Sequence, residues 1–280
     1  MSTHSLKRIV RSCIHPPRLL ALKLLGTGIR RAERPRSAEY ARGATLADGW
    51  PAGRPHDSSA PHAANPLEEY FDGVTAGPGV WKWRHYFDLY HRHLSRFVGR
   101  SPVVVEVGVY SGGSMDMWHH YFGPGTHVHG IDIEPACRAY ATANTTIHVG
   151  DQADAGFWRD FAKRVPLVDV LIDDGGHEPR QQIATVEAML PHLRPGGVYI
   201  CEDVTGSDNG FTDCTQALID ALHAYAPTVS PQGNTSPSSP FQASIHSLHV
   251  YPFVVVIEKR AEPMPSFSAP KHGTQWQPYL

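Results

Sequence analysis

From Pro102 onward, short apolar runs alternate with helical stretches, and the alternation ends in two consecutive strands. Val103–Val109, His127–Ile133, Ile147–Gly150, Val168–Ile172 and Val198–Cys201 read as strands. Ser114–Phe122, Ala155–Val165, Arg180–Leu190 and Phe211–Tyr225 read as helices. Gly123-Pro124-Gly125 stops the first helix, and Pro191 followed by Pro195-Gly196-Gly197 closes the third. Strands that are apolar almost throughout, joined through helices, indicate a parallel sheet covered on both faces. Ser244–Tyr251 and Phe253–Lys259 are separated only by a short turn at Pro252. A parallel crossover needs roughly a dozen residues or more, so this last pair has to be an antiparallel hairpin. The expected fold is therefore α/β: five parallel strands, a C-terminal antiparallel hairpin, and helices on both faces.

The flanks differ in character. Residues 1–60 carry 11 Lys/Arg against 4 Asp/Glu, while the whole chain has 25 against 27, so the basic surplus is confined to the first fifth. A nucleic-acid-binding core would carry that surplus itself, so no nucleic-acid partner is expected. Lys7-Arg8, Leu19–Leu25 and Arg30-Arg31 outline a basic amphipathic helix, either a plain surface extension or a membrane-docking element. Residues 32–66 are rich in Arg, Ala, Gly, Pro and Ser and read as an irregular linker. The domain division expected is an extension and linker over 1–66, a catalytic-type domain over 67–262 and a tail over 263–280. Trp81–Val98 has apolar residues at helical spacing, and Ser230–Pro240 reads as a disordered insertion or a lid. No apolar run approaches the roughly 20 residues that cross a bilayer. Cys13, Cys137, Cys201 and Cys214 are scattered without metal spacing, which fits a reducing cytoplasm, with docking at a membrane surface or self-association as further options.

Chemistry-bearing residues sit at the expected strand ends. The first strand runs into Glu106-Val107-Gly108-Val109-Tyr110-Ser111-Gly112-Gly113-Ser114. Glycines at such a turn allow close backbone approach, and the next helix start presents unpaired N–H groups. No Lys follows Gly113, which excludes a phosphate loop, and the glycine spacing is not that of a dinucleotide fingerprint. Asp132 ends the second strand, placed for ribose hydroxyls, and Asp151, followed by Gln152, ends the third, placed for an adenine amino group.

The fourth strand ends in Asp173-Asp174-Gly175-Gly176-His177 and the fifth in Glu202-Asp203. Four carboxylates meeting at one sheet edge repel each other and lose hydration, a cost that a hard divalent cation such as Mg²⁺ would offset. Asp173 is placed to face the cofactor pocket rather than the metal. His177, on the turn, could accept a proton near neutral pH. The remaining histidines, including His119-His120 and His127/His129, lack carboxylates at ligand spacing, so no zinc site is expected.

Together, Val105–Ser114, Gly130–Glu134, Gly150-Asp151-Gln152, Ile172–His177, Leu190–Gly197 and Glu202-Asp203 resemble the metal-dependent sugar O-methyltransferases of the macrocin and mycinamicin type. They also resemble bacterial proteins labelled rhamnosyl O-methyltransferase or cephalosporin hydroxylase. The resemblance runs from Trp81 to Lys259 and implies a class I S-adenosylmethionine (SAM)-dependent methyltransferase with a Rossmann-like sheet. It implies that Glu106, Gly108, Ser111, Gly112, Gly113, Asp132, Asp151, Gln152 and Asp173 hold SAM, that Asp174, Glu202 and Asp203 bind Mg²⁺, and that His177 with Asp174 is catalytic. The acceptor implied is a hydroxyl of a sugar or other natural-product diol. Gly176 stands where such relatives often have Ser, and Val-Thr-Gly-Ser follows Asp203 in place of an aromatic-rich segment. The alternatives are a metal-dependent hydroxylase, which needs two histidines and a carboxylate on iron, a non-catalytic SAM-binding protein, and a nicotinamide dehydrogenase.

Overall fold

The computed structural model describes residues 37–51, 65–206, 209–225, 234–270 and 272–274. The expected basic helix over residues 7–31, most of the linker and the first part of the 230–240 loop lie outside the described residues. The chain divides into two compact units, 1–61 and 62–280.

In the first unit, helix α1 (Ala38–Asp48) replaces part of the expected irregular linker. Ser37 caps it by accepting a hydrogen bond from the Tyr40 N–H at 3.2 Å. The helix is exposed throughout and has no buried residue, so no apolar stripe announced it.

The second unit begins with α2 (Pro66–Gly73), whose cap Asn65 accepts from the Leu67 N–H. A non-helical strap over residues 79–83 leads to α3 (Tyr86–Leu94) and a 3₁₀ turn, Ser95–Phe97. The helix expected from Trp81 thus starts five residues late, because Trp81, Lys82 and Trp83 alternate exposed, buried, exposed instead of turning.

The core follows in alternation. Strand β1 (Val103–Val107) is followed by α4 (Gly113–Phe122), β2 (His127–Asp132), β3 (Thr145–Val149) and α5 (Ala155–Arg164). Then come β4 (Val168–Asp173), α6 (Pro179–Met189), β5 (Leu193–Cys201) and α7 (Gly210–His223). After β6 (Asn234–Thr235) and the short α8 (Pro240–Ser244), β7 (Ile245–Tyr251) and β8 (Val254–Lys259) form the hairpin. β9 (Phe267–Ser268) pairs with β6, which gives part of the expected tail a place in a second, two-stranded sheet.

The main sheet has the order β3-β2-β1-β4-β5-β8-β7. β1 to β5 pair in parallel, and β8 runs antiparallel to both β5 and β7. The expected five parallel strands and terminal hairpin are both present. β5 starts earlier than the glycine pattern suggested, absorbing Pro195-Gly196-Gly197 beside a register irregularity between Val168 and Val170.

Alternation along the strands sorts the core into two layers. Val104, Val128, Val170, Ile172, Val198, Ile200 and Val256 pack with Leu67, Tyr86, Phe87, Trp118 and Phe122. Val105, Val107, Ile131, Leu171, Tyr199 and Ile257 pack with Trp158, Phe161, Met189 and Phe211. Glu106 falls on the first of these faces, so a carboxylate is buried in an otherwise apolar layer.

Candidate active site

Parallel register is what gathers the acids. Val107 lies opposite Asp173, and Asp173 opposite Cys201, so the turns after β1, β4 and β5 share one edge. Onto that edge the strap from residues 79–83 delivers a residue that sequence patterning missed. The Lys82 ammonium lies 3.1 Å from Glu106, 2.7 Å from Asp174 and 3.2 Å from both carboxylate oxygens of Glu202, with its side chain only 3% exposed. Burial alone would lower the Lys82 pKa; attraction to Asp174, Glu202 and Glu106 overrides it and holds the group well above its ordinary value. Burial raises Glu106 and Glu202, and the ammonium works against that rise. Glu106 also accepts from the Ser114 hydroxyl and the Trp118 indole N–H, and Glu202 accepts from the Tyr90 hydroxyl.

Outside this buried knot lies an open group. His177 Nε2 is 3.9 Å from Asp174 Oδ1 and 3.7 Å from Asp203 Oδ2, too long for hydrogen bonds. The space among the three atoms suits a bridging ion or a substrate hydroxyl. Asp203 is fixed through its other oxygen, which accepts from the Tyr86 hydroxyl at 2.7 Å and the Trp83 indole N–H at 3.1 Å. His177 and Asp203 both have positive φ, +57° and +52°, as does Tyr110 in the glycine loop at +48°. Non-glycine residues held there store strain, which concentrates at functional positions.

The expected metal set of Asp174, Glu202 and Asp203 is therefore split. Glu202 turns inward to Lys82 and Tyr90, while Asp174 and Asp203 face His177. The ammonium, and not only a metal, answers the charge cluster that the sequence displayed.

The glycine loop is built for close packing. Gly108 has φ +93°, and a β-carbon there would lie 2.0 Å from the Asp174 carbonyl oxygen. β-carbons on Gly112 and Gly113 would strike the Tyr140 ring and the backbone carbonyls of Pro78 and Gly79. Those two glycines admit protein, which leaves exposed Tyr110 and half-buried Ser111 as the loop's accessible part. Asp132 accepts from the Val109 and Tyr110 N–H groups on one oxygen and from Glu134 N–H on the other. The second oxygen, which accepts one bond, retains a lone pair for a ligand hydroxyl. Asp151 is exposed at the end of β3 and accepts from the Ala153 N–H.

Gln152 and Asp173, expected among the cofactor contacts, are placed behind the rim. Gln152 donates to Asp173 at 2.6 Å and to Thr185, and accepts from the Gly176 N–H. Asp173 also accepts from the Tyr199 hydroxyl, and burial pushes its carboxyl up to about 7 against these hydrogen bonds. The even spacing of strand-end acids could not show that Asp173 and Asp174 point to opposite faces of the sheet.

Two further features lie away from this rim. A groove of about 640 Å³ lies at the opposite end of the sheet, lined in part by Arg96, Pro102, Asp169 and Glu258. His93, His249 and Glu258 cluster, but His93 is bonded to Glu258 and Tyr251, His249 to Ser247, and Glu258 also to Arg96. Hydrogen bonding accounts for that cluster.

A family match now joins the geometry. Residues 105–204 match the family model described as a methyltransferase domain. The matched stretch holds the glycine loop, Asp132, Asp151, Asp174, His177, Glu202 and Asp203, while Lys82 comes from upstream of it. The chain is 34% identical over 164 residues to demethylmacrocin O-methyltransferase of Streptomyces fradiae, covering 51% of this chain and 41% of that protein. It is 33% identical over 166 residues to 8-demethyl-8-alpha-L-rhamnosyl tetracenomycin-C 2'-O-methyltransferase of Streptomyces olivaceus, covering 52% and 43%. The chain thus spans less than half the length of these curated relatives. In three dimensions it resembles the MycE methyltransferase of the mycinamycin pathway, solved with Mg, SAH and mycinamycin VI. That match has a TM-score of 0.57 and 28% identity over 70% of this chain and 53% of that one. The structural likeness covers more of the chain than the 105–204 stretch does.

Proposed function

We propose that the chain transfers a methyl group from SAM to a hydroxyl of a sugar-bearing small molecule, with Mg²⁺ held beside His177. The observation that carries this reading is the Asp174–His177–Asp203 group, whose ligand atoms lie within 4.8 Å of one another at the mouth of a methyltransferase domain. Relatives named as O-methyltransferases of demethylmacrocin and of a rhamnosyl tetracenomycin support oxygen as the acceptor.

The donor set fits a hard cation: two carboxylate oxygens at a half-open site, with the imidazole beside them left free to act as a base. Asp174 and Asp203 would hold it, and Glu202 stands next to them, turned to Lys82. Bound there, the cation would supply charge that lowers the pKa of a coordinated hydroxyl. His177 accepts the hydroxyl proton at Nε2, and the two carboxylates facing that nitrogen stabilise the resulting imidazolium. Tyr86 and Trp83 keep Asp203 oriented. Asp132 and Asp151 receive the ribose hydroxyls and the adenine amino group of the donor, beside Ser111. Glu106, Gln152 and Asp173 act from behind by fixing the turns. The rate gain comes largely from holding the acceptor oxygen against the methyl carbon. A metal-dependent hydroxylase would need two imidazoles and a carboxylate, and the rim group has one imidazole.

The test is incubation of the full chain with labelled SAM, Mg²⁺ and a panel of sugars, vicinal diols and catechols, with and without a chelator. Label on a sugar hydroxyl, lost on chelation, is expected. Failure to bind SAM by calorimetry, together with no transfer to any acceptor, would reject the reading.

A further inference from the structure

Four large aromatic side chains stand exposed around the mouth of the site. Trp81 is 73% exposed, Tyr110 71%, Trp83 54% and Phe253 42%. They come from three separate segments: the strap, the glycine loop and the turn between β7 and β8. Trp81 and Tyr110 have ring centroids 6.5 Å apart, and Trp83 and Phe253 5.8 Å apart. The strap fixes this arrangement, because burying Lys82 between Trp81 and Trp83 sends both indoles outward. Trp83 also joins the collar to the reacting group through its hydrogen bond to Asp203. Tyr110 and Phe253 hold positive φ, +48° and +65°, so two of the four rings sit on strained backbone. By contrast, Tyr86 and Tyr90 are buried and serve Asp203 and Glu202.

Exposed aromatics grouped in this way are costly to leave in water and mark a binding surface. A polar group at the centre suits a hydroxyl, and a ring collar around it suits a flat apolar body attached to that hydroxyl's sugar. We propose that Trp81, Tyr110, Trp83 and Phe253 form a subsite for the aglycone of the acceptor, and that it takes a planar aromatic one. The proposal rests on the O-methyltransferase reading and adds the part of the acceptor that confers affinity. Stacking on aromatic faces is tolerant of detail, so the collar selects for flatness and apolarity while the rim group selects the hydroxyl.

The experiment compares phenyl α-L-rhamnopyranoside with methyl α-L-rhamnopyranoside on the full chain in the presence of Mg²⁺. Binding is read by calorimetry, and methyl transfer is read separately with labelled SAM. The aryl glycoside is expected to bind at least tenfold tighter. That preference should fall to within about twofold in Trp81→Ala and in Phe253→Ala, with melting temperatures close to the parent's. Equal affinity for the two glycosides, or an undiminished preference in both variants, overturns the subsite. A collar-dependent preference without any methyl transfer keeps the subsite and rejects the reaction; transfer without preference does the reverse.

Discussion

His177 combines an accessible imidazole, two facing carboxylates and a left-handed backbone conformation. His177→Ala is expected to lower the methyl-transfer rate by about 10²–10⁴-fold, the usual worth of a general base, while SAM affinity measured by calorimetry stays within about twofold. Equal loss of both would mean that the side chain holds the turn and not the proton. Gly108 is constrained by geometry of another kind. Its φ of +93° and the 2.0 Å approach to the Asp174 carbonyl leave no room for a methyl group. Gly108→Ala should cost about 3 kcal/mol in denaturant unfolding, from backbone strain and displaced packing together. The strand-end acids and His177 were legible in the sequence because parallel strands put their C-terminal turns at one edge whatever the detail. Which way each acid points was not: adjacent residues on a strand face opposite sides, and Asp173 went behind the sheet while Asp174 went to the rim.

At the scale of elements, the strap between α2 and α3 decides how the site is assembled. The spacing of Tyr86, Leu89, Tyr90 and Leu94 correctly indicated a helix, but nothing in that period marked where it begins. The missed boundary hid Lys82, which a helix starting at Trp81 would have placed on a surface. As built, one ammonium ties the strap to β1, to the turn after β4 and to the end of β5. Lys82→Met keeps the apolar stem and removes the charge, so Glu106 and Glu202 lose their buried counter-ion. A loss of about 3–5 kcal/mol is expected in urea unfolding, the range found when one partner of a buried pair is removed. Lys82→Arg should recover part of it. Stability unchanged in Lys82→Met would mean that the carboxylates take up protons without penalty and that the knot is not a fastener.

Over the whole molecule, two buried sets titrate in opposite directions. Burial lowers His129 and His148, which lie 3.1 Å apart between β2 and β3, to about 4. The unfolded chain binds their protons from about pH 6.5 downward, so this pair's contribution is present above that pH and is lost as pH falls toward 4. Asp173, raised to about 7, behaves in reverse: its contribution is present below about pH 4 and is lost as pH climbs through 7. His148→Gln should therefore flatten the acid side of the stability curve, and Asp173→Asn the neutral side, in thermal melts run from pH 4 to 8. Identical slopes in parent and variants would show these groups to be hydrated. The five parallel strands and the hairpin were readable because apolar runs and connection lengths leave few topologies; the order of the strands was not read. The pairing of β6 with β9 was not, since two-residue strands carry no pattern. No helix among the described residues is long and apolar enough to cross a membrane. The lysine fastener has one more consequence, for anyone cutting the gene. Borders drawn around the family-matched stretch, 105–204, would discard both the positive charge that quenches its interior acids and the hairpin that shields β5. Such a fragment would keep most of the motifs and lose the conditions under which they can be buried, so an expression boundary belongs upstream of Asn65 and downstream of β8.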